Sequence, residues 1–152
     1  MKDKIPEIIA IVVSVIALIY TVYSSWHSKK VSKHTALREY YTEDNTAQKI
    51  QARREIYNMS ETDMANLKKD DTVRAWMSSY YQFYASLYFN DVLDRESFRE
   101  VFGWATVKLY HKLEPHIYAR RTREGDNENY AWEFQKLAEE IERSGDGITK
   151  RP

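Results

Sequence analysis

The sequence predicts an all-α protein, with a single N-terminal transmembrane helix followed by a compact four- to five-helix bundle. Residues 7 to 102 contain neither glycine nor proline, whereas a sheet protein needs turn residues about every 8–12 positions. Apolar residues recur at spacings of three and four through most of the chain, as amphipathic helices require. Near the N-terminus an uncharged run is apolar on every side of a helix, which is typical of a membrane span.

The uncharged run extends from Ile8 to Tyr23. As a helix it covers roughly 24 Å, and with Ile5 and the residues up to Trp26 about 33 Å, against ~30 Å for the hydrocarbon core of a bilayer. Aromatic and basic side chains follow, as is usual where a helix leaves the bilayer. The predicted interface anchors are Tyr20, Tyr23, Trp26, Lys29 and Lys30.

The orientation of this segment is predicted from its basic flanks. Residues 29 to 38 carry three lysines and an arginine, against two lysines before the apolar run. The more basic side stays in the cytoplasm, so the C-terminal domain is expected there. A cleaved signal peptide is the alternative, since residues 22–24 loosely resemble a cleavage site, but Val22 is a poor substitute for the usual alanine.

Four regions are predicted along the chain. Residues 1–28 form the membrane anchor, 29–41 a basic helical connector, 42–144 the bundle, and 145–152 a disordered tail. The first bundle helix is expected over 42–58, and a short helix capped by Ser60 follows it. The apolar or small residues of the first helix, Ala47, Ile50 and Tyr57, are predicted to share one face with Arg54, and the short helix carries Met64 and Leu67.

A long helix is predicted from about residue 72 to 91. Its inward stripe at spacings of three and four is Val73, Trp76, Met77, Tyr80, Phe83, Tyr84 and Leu87. Three aromatic residues fall outside this stripe: Tyr81, Tyr88 and Phe89. Contiguous exposed aromatic side chains often mark interaction sites, so these three are the candidate partner patch.

The next helix is predicted to open at Asp94, whose carboxylate can cap the following amides. Pro115 should kink or stop it. Its expected buried residues are Phe98, Val101, Phe102, Ala105 and Leu109. The last helix is expected to end before Gly145, with Tyr130, Phe134, Leu137, Ala138 and Ile141 on its inward side.

Composition limits the chemistry that this chain can perform. It has no cysteine, which excludes disulfides and thiolate metal sites, and equal numbers of acidic and basic residues, which argues against nucleic-acid binding. The four histidines lack the spacing of a shared metal site and are interpreted as surface residues. No metal, cofactor or catalytic residue is predicted. The candidate anion site is Arg120, Arg121 and Arg123, because arginine forks suit phosphates.

Two stretches carry a family resemblance: Tyr80–Gly103, and Leu113–Tyr118 with the following Arg120 and Arg121. From about Ala36 to Ile141 the chain resembles a bacterial domain-of-unknown-function family of small helical proteins, often with one N-terminal membrane helix. The resemblance implies a bacterial or phage origin, and it supplies no activity or catalytic residue to carry over. Related sequences often carry an acidic residue in the aromatic helix, where this chain has Gln82.

These observations favour a non-enzymatic, membrane-anchored helical module at the bacterial inner membrane. Its expected partners are the lipid bilayer and either another protein or a second copy of the chain. Two alternatives stay open. One is a hydrolase or nucleotide-handling protein using the Arg120–Arg123 region, and the other is a stress or phage-defence effector acting in the membrane.

Overall fold

The computed structural model describes residues 4–68, 71–123 and 127–145, with side chains from residue 13 onward. Over these ranges the protein is all-α and contains no strand, which confirms the predicted fold class. The predicted tail lies, from residue 146 on, outside the described residues. The described helices are α1 (Lys4–Asp44), α2 (Ala47–Asn58), α3 (Glu61–Ala65), α4 (Thr72–Phe89), α5 (Arg95–Thr122) and α6 (Trp132–Ser144).

Helix α1 is one uninterrupted helix of 41 residues. It contains the uncharged run of the sequence, the predicted connector 29–41 and the first residues assigned by prediction to the second helix. Over the described residues, none of the helices is both long enough and apolar enough to cross a membrane. The transmembrane part of the sequence prediction is therefore not supported, whereas the continuous helical path from the N-terminal segment into the bundle is observed.

The inward face of α2 differs from the predicted one. Its buried residues are Lys49, Ala52 and Ile56, whereas Ala47 and Arg54 are exposed. The prediction fails because Lys49 lies with its stem in the bundle and its ammonium 3.5 Å from the centre of the Tyr80 ring, a placement that an apolar pattern cannot indicate.

Helix α3 begins as predicted, with the Ser60 hydroxyl accepting a hydrogen bond of 3.1 Å from the amide of Asp63. Met64 is fully buried. The cap is local in sequence, and it positions the short helix against α5.

Helix α4 is rotated relative to the prediction. Tyr81 and Tyr88 are buried and Phe83 is 56% exposed. Apolar residues cover more than half of this helix, so their period is clear while the inward direction is not. Helix α6 packs against the side of α4 that carries Tyr81, whose ring centre lies 5.1 Å from that of Phe134. The buried residues of α4 are Arg74, Met77, Ser78, Tyr81, Tyr84, Ala85 and Tyr88.

Helix α5 opens at Asp94, whose carboxylate accepts a hydrogen bond of 2.9 Å from the amide of Ser97, confirming the predicted cap. The helix does not stop at Pro115 but continues to Thr122. Buried side chains on both sides of the proline, Leu113 and Ile117 among them, hold the helix in place despite the missing amide donor. Val101 was predicted to be buried but is exposed.

Helix α6 buries Phe134, Leu137, Ala138 and Ile141, as predicted. It ends at Gly145, which adopts a left-handed conformation with φ of 68°, as is common after a helix C-terminus.

Two contacts show that α4 and α6 run in parallel. Gln82 bonds Glu133 near the start of α6. Tyr88, which follows Gln82 along α4, bonds Glu140, which follows Glu133 along α6. Both helices therefore end on the same side of the bundle as the α4–α5 turn.

Candidate functional site

The apolar arm, defined here as residues 13–26 of α1, is exposed on every side. Each described side chain from Val13 to Ser32 is exposed, and the large apolar ones keep half or more of their surface accessible. Those of the arm are Val13, Val15, Ile16, Leu18, Ile19, Tyr20, Val22, Tyr23 and Trp26. Soluble proteins rarely expose so much contiguous apolar surface, so the arm is the strongest candidate interaction surface.

The predicted interface anchors all lie on or next to the arm. Tyr20, Tyr23 and Trp26 are each exposed by more than 60%. The ammonium of Lys30 lies 5.7 Å from the centre of the Trp26 ring, and Lys29 is exposed beside it. The structure therefore brings the aromatic and basic anchors together at the end of the arm nearest to the bundle.

Aromatic contacts fix α1 where it enters the bundle. Tyr40 is buried, and its ring centre lies 4.3 Å from that of Tyr84 and 4.6 Å from that of Phe102. One ring of α1 thus packs against both α4 and α5. Pairs of this kind add about 0.5–1.5 kcal/mol beyond area burial, so the direction of the arm is set by the core of the bundle.

A polar cluster, the junction cluster of Asp44, Arg53 and Tyr81, holds the last turn of α1. Arg53 donates to the Asp44 carboxylate at 2.6 Å and to the Asp44 carbonyl at 2.8 Å. The Tyr81 hydroxyl donates to the same carboxylate at 3.3 Å. These contacts link α1 to α2 and α4.

Burial raises the pKa of Asp44, and the Arg53 guanidinium opposes this shift. A buried carboxylate that is already bonded by a guanidinium and a phenol is held in place by both partners. The junction cluster therefore positions helices, and no reacting group is visible in it.

The three arginines of the predicted anion site have different surroundings. Arg120 bonds Asp71 at 3.1 Å, and Arg121 donates to the carbonyl of Tyr130 at 2.8 Å and to the Gln135 amide oxygen at 2.6 Å. Arg123 is exposed after the last turn of α5. Two of the three guanidiniums therefore already bind groups of the protein itself.

The predicted partner patch was expected to be exposed, and this prediction is wrong. Tyr81 is 2% exposed and Tyr88 is fully buried, while Phe89 is half-buried. Tyr88 packs on Phe98 with ring centres 5.6 Å apart and donates to Glu140 at 2.8 Å. These aromatic side chains belong to the core because α4 is rotated toward α5 and α6.

The histidines fall into two environments. His111 is on the surface, as predicted, and its Nε2 lies 2.6 Å from a Glu142 oxygen, which raises the pKa of His111. His116 was predicted to be on the surface but is completely buried, and among the described residues neither of its ring nitrogens has a hydrogen-bond partner. Burial, with the positive charge of Arg74, lowers the pKa of His116 to about 4. Within the described part of the chain, no group of three acidic or histidine side chains is placed to hold a metal ion.

Two residues have structural roles that the sequence does not predict. Arg74 is buried and donates to the carbonyls of Met64 at 2.9 Å and Asn66 at 3.1 Å, and also to that of Asp63, so it caps the C-terminus of α3. Gln82 accepts from the amides of Glu133 at 2.9 Å and of the next residue at 3.1 Å. It therefore caps α6 from a neighbouring helix. Neither role leaves a signal in local spacing.

The sequence matches the family described as Domain of unknown function (DUF4760) over residues 8–141, which is most of the chain. The chain belongs to the DUF4760 family. No curated protein and no solved structure matches it. The DUF4760 match begins within the uncharged run and ends in α6, so the family unit includes the arm as well as the bundle.

Proposed function

We propose that this DUF4760 protein is a membrane-anchored helical interaction module. In this proposal the apolar arm lies in a lipid bilayer. The rest of α1 connects the arm to the bundle, which lies close to the membrane surface on the cytoplasmic side. The observation that supports it is the exposure of apolar side chains on all sides of the arm, from Val13 to Trp26.

The distribution of these side chains favours a bilayer over a protein as the surrounding medium. A partner helix covers one stripe of a helix and leaves polar residues on the other side. The arm has no charged residue on any side, and aromatic residues followed by lysines come at its end. That arrangement matches a helix that passes from hydrocarbon into the headgroup layer.

The bundle is proposed to bind a protein and not to catalyse a reaction. The two arginines with the clearest anion-binding potential, Arg120 and Arg121, are bonded to Asp71, Tyr130 and Gln135. This use of their charge favours the interaction module over the hydrolase or nucleotide-handling alternative.

Membrane attachment can be tested by flotation of the full-length chain with vesicles. Ile16→Asp with Ile19→Asp should abolish flotation, because one carboxylate in the hydrocarbon costs about 2.5–3.5 kcal/mol. Both side chains are exposed, so the bundle should keep its fold. The matched control introduces the same charges at Gln48 and Gln51, which are exposed on α2, and should float like the parent.

Two results would contradict the proposal. Flotation of the Ile16→Asp, Ile19→Asp variant at the level of the control would show that the arm is not in the bilayer. A fusion after Pro152 that reports the exterior of the cell would place the bundle on the other side of the membrane.

A further inference from the structure

A single stripe of α1 faces the bundle and continues beyond it. Residues at alternating spacings of four and three share one side of a helix. From the bundle outward this stripe is Asp44, Tyr40, Leu37, Lys33, Lys30 and Trp26. Asp44 and Tyr40 are buried and Leu37 packs against the core, which shows that the stripe points at the bundle.

Lys33 is the outermost contact of this stripe with the bundle. Its ammonium lies 2.7 Å from the Asp91 carboxylate, in the turn between α4 and α5. The turn therefore lies level with Lys33. Trp26, the end of the apolar arm, is seven residues away, or about 10 Å along the helix, so the turn lies at the outer edge of a headgroup layer of about 5–8 Å.

We call the region around the contact between Lys33 and Asp91 the corner; it comprises Lys29 and Lys30, about one helical turn before Lys33, and residues 90–92 of the α4–α5 turn. Lys30 lies one turn before Lys33 on the same stripe, and Lys29 lies four residues before it. Both lysines are exposed, and among the described residues neither is paired with a carboxylate. Val92, on the bundle side of the corner, is 41% exposed.

Resting on the function proposed above, we infer that this corner binds the headgroups of anionic phospholipids. The lysines supply positive charge at the depth of the lipid phosphates, and each lysine near an anionic surface adds roughly a fivefold preference for it. Val92 supplies an apolar contact at the same level. The bundle therefore rests with its α4–α5 turn against the bilayer, and the far end of α5 points away from the membrane.

The test uses the absence of cysteine from this chain. A single cysteine is introduced by Val92→Cys, or by Tyr118→Cys near the far end of α5, about 35 Å along that helix from its start. Both side chains are exposed. Each full-length variant is labelled with a fluorophore and bound to vesicles that carry a nitroxide on the lipid headgroup. The vesicles are phosphatidylcholine alone or with one third phosphatidylglycerol.

The expected result is strong quenching at position 92 with phosphatidylglycerol, at least severalfold above that at position 118. Lys29→Gln with Lys30→Gln should remove most of this quenching. The matched control, Lys108→Gln with Lys136→Gln, makes the same charge change at exposed positions of α5 and α6 and should leave the quenching unchanged.

Three outcomes would overturn the inference. Equal quenching at the two positions would show that the turn does not face the bilayer. Equal quenching at position 92 with and without phosphatidylglycerol would remove the requirement for anionic lipid. An equal effect of the two lysine pairs would show a general charge effect. In all three cases the chain with its own lysines would still float, whereas failure of the proposed membrane anchor would be seen as loss of its flotation in both kinds of vesicle.

Discussion

Replacing His116 should flatten the dependence of stability on pH. The imidazole is completely buried, and its ring centre lies 6.0 Å from that of Tyr130. Burial and the nearby Arg74 lower the pKa of His116 from 6.5 to about 4. The unfolded chain thus takes up a proton below about pH 6.5, whereas the folded protein takes it up only near pH 4.

The sign and the size of the effect follow from this difference. The unfolded state binds more protons between the two pKa values, so the free energy of unfolding falls as the pH drops through this range. The complete difference corresponds to about 3 kcal/mol at 1.36 kcal/mol per pKa unit. At pH 5 the loss is about 2 kcal/mol, a large share of the ~5–15 kcal/mol that stabilises a domain.

The assay is urea unfolding of the full-length chain in a non-ionic detergent, followed by tryptophan fluorescence at pH 7.5 and pH 5. His116→Leu should lose about 2 kcal/mol less than the parent between these two values. His111→Gln is the matched control. Glu142 raises the pKa of His111, so this group contributes stability that is present at low pH and lost as the pH rises, and its removal should act in the opposite direction.

An unchanged difference between pH 7.5 and pH 5 in His116→Leu would refute the reasoning. It would mean that the buried imidazole is protonated in the folded protein, or that it reaches water. At pH 7.5 the variant should be at least as stable as the parent, because it removes two buried ring nitrogens that have no hydrogen-bond partner among the described residues.

Three further predictions concern the residues that hold the bundle. Arg74→Met should cost about 3–5 kcal/mol by urea unfolding, because carbonyls at the end of α3 lose their donor; a loss below about 1 kcal/mol would contradict the cap. Gln82→Ala should cost about 1–2 kcal/mol, against less than about 0.5 kcal/mol for the exposed Ser79→Ala, and equal losses would exclude a capping role. Tyr81→Ser with Tyr88→Ser should leave no cooperative unfolding transition, and a folded double variant would show that these rings are not core.

Local interactions make part of the fold predictable from sequence. The caps at Ser60 and Asp94 bond amides three residues away, so the residue types and their spacing are sufficient. The inward side of α6 is also predicted correctly, since its apolar residues form one narrow stripe between charged residues. Helix α4 is different: its apolar residues surround more than half of the helix, and only the positions of α5 and α6 decide which side is buried.

Contacts between distant segments explain what the sequence does not predict. Lys49, Arg74 and His116 are charged or polar residue types that an apolar pattern places on the surface, yet each is buried in the bundle. The apolar arm can be predicted because it is one continuous segment. The corner beside the α4–α5 turn cannot, since it depends on the contact between Lys33 and Asp91.

Because α1 is one continuous helix, it fixes the distance between the apolar arm and the bundle. From Trp26 to Tyr40 the helix rises about 21 Å. A flexible linker with the same number of residues would let an attached domain move in every direction within a radius of similar size. Because this segment is helical and is fixed in the core at Tyr40, the bundle keeps a constant distance and orientation relative to the arm. Any molecule that binds it must come to within a few nanometres of the arm and meets the same surfaces in every copy.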